Sequence, residues 1–133
     1  MAERLILETT FLVDLERENT GRSAGGACAL FLERHLGSSL YLTHTTVGEL
    51  ACGAGAADRE RWETLTSRFH VLEHTREVDW QYAQAFRYLH RRGELIPAND
   101  LWIAATGVAY AMPVVTRNVL HYERVPGLTV LGY

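Results

Sequence analysis

Short, almost wholly apolar runs alternate along this chain with segments of helical periodicity, and no other feature restricts the fold as much. Arg4–Leu7, Leu40–Thr43, Val71–Leu72, Pro113–Val115 and Leu128–Leu131 read as strands. Between them, Phe11–Arg17, Ala27–His35, Thr46–Cys52, Arg59–Phe69, Val78–Arg92 and Asp100–Tyr110 carry helical spacing, and Gly93 closes the longest of these helices. Strands that are apolar on both sides, rather than alternating, belong to parallel sheets covered on both faces. The expected fold is a three-layer α/β/α domain with a short, mainly parallel central sheet. With 133 residues, no repeat and no linker-like tract, the chain reads as a single domain over residues 1–133.

Composition then narrows the chemistry. Hydrophobic residues make up 47% and charged residues 22%, the balance of an ordinary globular protein. The net charge of −3 excludes a protein that coats nucleic acid through overall basicity. All 13 basic residues are Arg, so phosphate-binding loops, kinase chemistry and Schiff-base chemistry lack their lysine. Cys28 and Cys52 show no metal-binding spacing and suit a reducing compartment. No signal peptide or membrane span is expected, because Glu3, Arg4 and Glu8 interrupt the first apolar run and Leu101–Val115 is too short. The expected location is the cytoplasm.

In a parallel α/β sheet, ligands bind beyond the carboxyl ends of the strands, where strand order reverses. Glu8 follows the first strand, Glu49 lies one helical turn beyond the second, Asp100 starts a helix, and Thr116-Arg117-Asn118 follows the fourth strand. Each has an ordinary reading. Glu8 is a surface carboxylate, Thr46-Val47-Gly48-Glu49 is a capping box, Asp100 a first-turn acid and Asn99 a helix cap. Brought together, however, three carboxylates with no lysine among them repel one another, and a hard divalent cation such as Mg²⁺ or Mn²⁺ relieves that repulsion. His70 and His74 are expected to be structural or exposed. Trp80, Tyr82, Phe86 and Tyr88 read as core rather than as a base-stacking platform, and Trp102 as core or interface.

At these residues the chain resembles the PIN-domain family, specifically the VapC-type toxins of bacterial toxin–antitoxin pairs. Four segments carry the resemblance: Leu5–Asp14, Thr46–Leu50, Ile96–Ala105 and Val114–Leu128. The family's first acid, normally Asp in a D-T-S/N-x-x-x-D pattern, falls on Glu8, with Thr9, Thr10 and Asp14 otherwise fitting. The second acid falls on Glu49, the third on Asp100, and the fourth, less strict position on Asn118. His121 stands where many relatives have another acid, and Thr116 matches the polar residue before the fourth position. Glu8 carries its carboxylate roughly 1.5 Å further than Asp would, and Asn118 brings no charge.

The resemblance implies a Mg²⁺-dependent endoribonuclease (Mn²⁺ being an alternative ion) that cleaves RNA and halts growth until an antitoxin blocks it. It implies metal ligation by Glu8, Asp100 and Glu49, catalytic roles for these three and Asn118, and substrate contacts from Thr10, Thr116 and Arg117. In-line hydrolysis would leave a 5′-phosphate and a 3′-hydroxyl. A homodimer and an antitoxin segment lying beside the early helices, where Leu30, Phe31 and Leu32 fall, are also implied. Two other classes stay open: a degraded PIN fold that binds its partner or RNA without catalysis, and a receiver-like domain, which the missing lysine disfavours.

Overall fold

The computed structural model describes residues 3–21, 26–53 and 58–133. Most of the loop expected over Gly21–Gly26, and Gly55, lie outside the described residues. Five strands and seven helices follow in the order β1 (Arg4–Leu7), α1 (Thr9–Asn19), α2 (Ala27–Arg34), β2 (Ser39–Leu42), α3 (His44–Cys52), α4 (Arg59–Thr66), β3 (His70–Val71), α5 (Arg76–Arg92), α6 (Ala98–Tyr110), β4 (Val114–Val115), α7 (Val119–Tyr122) and β5 (Val130–Leu131). The sheet order is β3-β2-β1-β4-β5 and every pairing is parallel. The expected α/β architecture is present, with α7 as an element the apolar pattern did not announce.

The pleat divides the core in two. Leu5 and Leu7 point to one face of β1 and Ile6 to the other, while Val115 and Val114 divide in the same way on β4. Phe11, Leu12, Leu15, Cys28, Phe31, Leu50 and Leu65 cover the first face, so α1 to α4 form one outer layer. Ala85, Leu89, Leu101, Ile103, Ala104 and Tyr122 cover the second, so α5, α6 and α7 form the other. Both faces of β1 are therefore dry, which is why Leu5-Ile6-Leu7 shows no polar alternation.

Helix ends follow local chemistry. Thr75 caps α5 by accepting a hydrogen bond from the Val78 amide, and Gly93 ends the helix at φ +66, a left-handed conformation suited to glycine. The aromatic stripe on α5 is not core, against expectation. Trp80, Phe86 and Tyr88 are exposed, and Tyr82 only partly buries itself by stacking on Trp102 at 3.7 Å between ring centroids. Val78, Ala85 and Leu89 are the α5 residues that point inward, so the smaller side chains face α6 and the large rings lie at the periphery. Among the described residues no helix is long and apolar enough to cross a membrane.

The tightest approach in this layer is at Gly107 of α6. A Cβ there would meet Leu128 Cδ1 at 2.7 Å, Val114 Cγ2 at 2.9 Å and the Met112 carbonyl oxygen at 3.2 Å. The last of these is backbone and cannot rotate away. Gly107→Ala is expected to cost about 1–3 kcal/mol through overpacking, despite alanine's better helix propensity. Urea denaturation with an unchanged m-value would show it.

Candidate functional site

With every strand parallel, all five carboxyl ends lie along one edge of the sheet, and the strand order reverses where β1 sits between β2 and β4. Glu8 is the first residue past β1. Thr43, past β2, caps the helix that carries Glu49, while Thr116, Arg117 and Asn118 follow β4. Asp100 lies in the first turn of α6.

Glu8 is not a surface carboxylate: it is 2% exposed. Its backbone is extended, and it caps α1 with its own side chain, accepting a hydrogen bond from the Thr10 amide. Oε1 also accepts from the Thr116 hydroxyl at 2.7 Å and the Thr10 hydroxyl at 3.1 Å. One carboxylate thus ties the end of β1 to the start of α1 and to the end of β4. Burial raises its pKa above the ordinary carboxylate value, the hydrogen bonds from Thr116 and Thr10 pull it back, and the charge of Asp100 adds to the rise.

The capping reading of Glu49 fails on helix register. The helix begins at His44, and Thr43 is its cap, accepting from the Thr46 amide at 3.2 Å. Thr46 is therefore already helical, and Glu49 lies one turn too far in to reach the helix start. Its Oε1 accepts instead from the Thr9 hydroxyl at 2.7 Å, and its Oε2 from the side-chain Nδ2 of Asn99 at 3.4 Å. Asn99 is likewise no cap, because α6 is preceded by Pro97 and Asn99 belongs to its first turn.

Asp100 accepts on Oδ1 from the Tyr122 hydroxyl at 3.2 Å, while Oδ2 stands 3.6 Å from Nδ1 of His121. Tyr122 is fully buried. Burial pushes its pKa far up, and the negative charges of Glu8, Asp100 and Glu49 push it further. Glu49 links the other two acids, because Thr9 is the neighbour of Glu8 and Asn99 the neighbour of Asp100, while the buried Tyr122 hydroxyl donates to Asp100. The basic residue placed closest by the sequence, Arg117, does not neutralise them. Its guanidinium is bound to Asp14 at 2.8 and 3.1 Å, and the Tyr133 hydroxyl donates to the same carboxylate at 2.6 Å.

Three side chains expected to touch substrate also tie the frame of the site together. Thr116 is fully buried, donates to Glu8 and accepts from the Asn118 amide at 2.9 Å. Thr10 donates to Glu8 and accepts from the Arg117 amide at 3.1 Å. Arg117 is more than half exposed but pinned to Asp14. The Asn118 side chain caps nothing on α7. Sequence reasoning passed over Tyr122 as the partner of Asp100, Thr9 as the partner of Glu49, and Tyr133. Only Thr9 had a visible signal, its place directly after the first acid.

The donor set fits a hard cation, with a restriction. Among the described residues no arginine is paired with Glu8, Glu49 or Asp100, and the Nδ1 atom of His121, without a hydrogen-bond partner, lies 3.6 Å from Oδ2 of Asp100. Yet among the described residues no three Asp, Glu, His or Cys side chains stand close enough to enclose an ion by themselves. An ion here would keep several water ligands, which suits Mg²⁺.

The raised pKa of Glu8 has a consequence for stability. The folded state holds this proton more tightly than the unfolded chain, so stability falls as pH rises from the ordinary value near 4.5 through the raised folded value. In EDTA, Glu8→Gln is expected to flatten that part of the stability profile. Urea midpoints measured across mildly acid to neutral pH test this, and an unchanged slope in the variant would assign it to another group.

Known proteins resemble the chain over nearly its whole length. The PIN domain family profile matches residues 5–127. A protein named Ribonuclease VapC from Rickettsia bellii is 28% identical over 135 aligned positions, covering 96% of this chain and 94% of the relative. Ribonuclease VapC1 of Haemophilus influenzae strain R2866 is 31% identical over 94, covering 67% and 70%. Among solved structures, the Rickettsia felis VapBC2 complex with a promoter DNA fragment superposes with a TM-score of 0.82 at 18% identity, covering 98% of both chains. VapBC-1 from nontypeable Haemophilus influenzae gives 0.75 at 22% identity, covering 97% of both. A profile match that runs from Leu5 to Gly127 and so spans both core layers, on a sheet of the same architecture, places this chain in the PIN domain family.

Proposed function

We propose that this protein is a divalent-metal-dependent endoribonuclease, the toxin of a toxin–antitoxin pair. The observation that carries the reading is that Glu49 is hydrogen-bonded to Thr9, next to Glu8, and to Asn99, next to Asp100, at the reversal point of the sheet, with no arginine among the described residues paired to any of the three acids. Support for RNA as substrate comes from relatives named ribonucleases, and support for an antitoxin partner from the VapBC complexes that share the fold. Growth inhibition, a cytoplasmic location and a homodimer belong to the same proposal and rest on the family resemblance.

The residues divide the work. Asp100 and Glu8 would hold a magnesium ion, with Glu49 at a second position or orienting the attacking water. Such an ion supplies Lewis acidity at the scissile phosphate and lowers the pKa of bound water. Thr9 and Asn99 fix both oxygens of Glu49, so that carboxylate is pre-aimed and loses little freedom when it receives a proton or orients water. Thr116 and Thr10 hold Glu8 in position, and the Asn118 side chain would contact a phosphate oxygen or a water. Arg117, pinned yet exposed, offers a flanking phosphate a fixed fork. Single-stranded RNA is the substrate form that an open sheet edge accommodates, because unstacked bases can be splayed across it.

A second reading has one observation in its favour: both oxygens of Glu8 already serve internal hydrogen bonds. On that reading the fold binds a partner or RNA without cleaving it. Purified protein, a single-stranded RNA and Mg²⁺ separate the two. The expected outcome is cleavage to 5′-phosphate and 3′-hydroxyl ends, abolished by EDTA and reduced about a hundredfold or more in Asp100→Ala. Equal residual cleavage by both proteins would remove the enzymatic reading.

A further inference from the structure

We propose that Asp14 and Tyr133 are positioning residues that hold the Arg117 guanidinium as a clamp for an RNA phosphate flanking the scissile one. The inference rests on the reading of the site as a ribonuclease and goes beyond Arg117 to the two residues that aim it. Arg117 is held at two points of α1. Its amide donates to the Thr10 hydroxyl at 3.1 Å, and that hydroxyl donates in turn to Glu8 Oε1 at 3.1 Å. Its Nη1 donates to both oxygens of Asp14, at 2.8 and 3.1 Å. Thr10 and Asp14 are four residues apart on α1 and so lie on one face of the helix. Backbone and guanidinium are therefore both fixed relative to the first acid.

The pair is asymmetric. The Arg117 side chain is 54% exposed and that of Asp14 only 16%, so a phosphate arriving from solvent meets the cation before the acid. Among the described residues only Nη1 of the guanidinium is engaged. Nε and Nη2 remain, and together they form an edge that can donate to two phosphate oxygens at once. Behind Asp14, the Tyr133 hydroxyl donates to Oδ2 at 2.6 Å, and its ring packs edge-on against the buried Phe11. Burial and this bond raise the pKa of the phenol, which keeps it a donor. RNA gains from such a cation because the chain carries a net charge of −3 and the neighbouring acids repel phosphate. An arginine ordered in advance also loses little rotamer freedom on binding. The competing role for the pair is a plain brace of the turn after β4, and it predicts an effect of opposite sign. If Asp14 only neutralises Arg117, removing its charge frees a cation and tightens RNA binding.

The test follows the fluorescence anisotropy of an end-labelled single-stranded RNA with the full chain in EDTA, where metal-dependent cleavage is stopped. Arg117→Gln should make the slope of log K against log salt shallower by about 0.7, the loss of one phosphate contact. Asp14→Asn should weaken binding about twofold to tenfold, the ordering cost returned to the arginine. Tyr133→Phe, which changes no charge, should weaken it in the same direction, and it carries the test if circular dichroism shows Asp14→Asn to be unfolded. In an Arg117→Gln background neither substitution should weaken binding further. With Mg²⁺ present, Asp14→Asn should raise KM more than it lowers kcat, as loss of a contact shared by ground and transition states does. Tighter binding by Asp14→Asn, an unchanged salt slope in Arg117→Gln, or the same weakening with and without Arg117 would overturn the proposal. RNA that does not bind the wild type would overturn it as well. RNA cleavage that still depends on Mg²⁺ and Asp100 would then leave the nuclease reading standing, whereas its absence would remove both.

Discussion

The buried carboxylate of Glu8 is the joint on which the site is built. It accepts hydrogen bonds from the amide and hydroxyl of Thr10 and from the hydroxyl of Thr116, so one side chain fixes the start of α1 against the ends of β1 and β4. Thr10 and Thr116 each extend the contact by one step, to the amides of Arg117 and Asn118. The turn after β4 is therefore positioned by the first acid rather than by its own sequence. A carboxylate used this way has to be buried, and its burial opposes its own ionisation. The same constraint makes the pocket receptive to a cation, because among the described residues no arginine is paired with its acids.

Arg117, the arginine that the sequence places nearest the site, is committed elsewhere. Its guanidinium is fixed on Asp14, which also accepts from Tyr133, and Tyr133 packs edge-on against Phe11. The result is a second polar junction beside the first, balanced in its own charge. Arg117 braces the turn after β4, and the acid pocket keeps its excess negative charge. Separating the two junctions lets the fold be stable with the site still electrostatically unsatisfied, a common arrangement where chemistry is done.

Much of this was legible in the sequence, and the unread part has physical causes. The strands were readable because burial on both faces removes polar residues from Leu5-Ile6-Leu7 and Val114-Val115. The three acids were readable because parallel strands with intervening helices send every carboxyl end to one edge. Helix starts were not. Thr46-Val47-Gly48-Glu49 satisfies the capping pattern, but Thr43 three residues earlier satisfies the need first, and Glu49 is thereby released for the site. The α5 rings misled for a different reason. Their spacing is helical, but α6 is so closely packed that Ala85 and Leu89, not Phe86, occupy the space against it. Tyr122 and Tyr133 gave no signal, since their partners lie 22 and 119 residues away.

The departures from the family pattern make sense together. A longer first acid can reach both Thr10 and Thr116, but that reach draws its oxygens into the frame and away from an ion. A neutral Asn118 then lowers the negative charge that the pocket must hold without a metal. Both changes reduce the pull that the pocket exerts on a hard cation. On the proposed reading, an ion held here would rely more on its own water ligands than one held by four carboxylates.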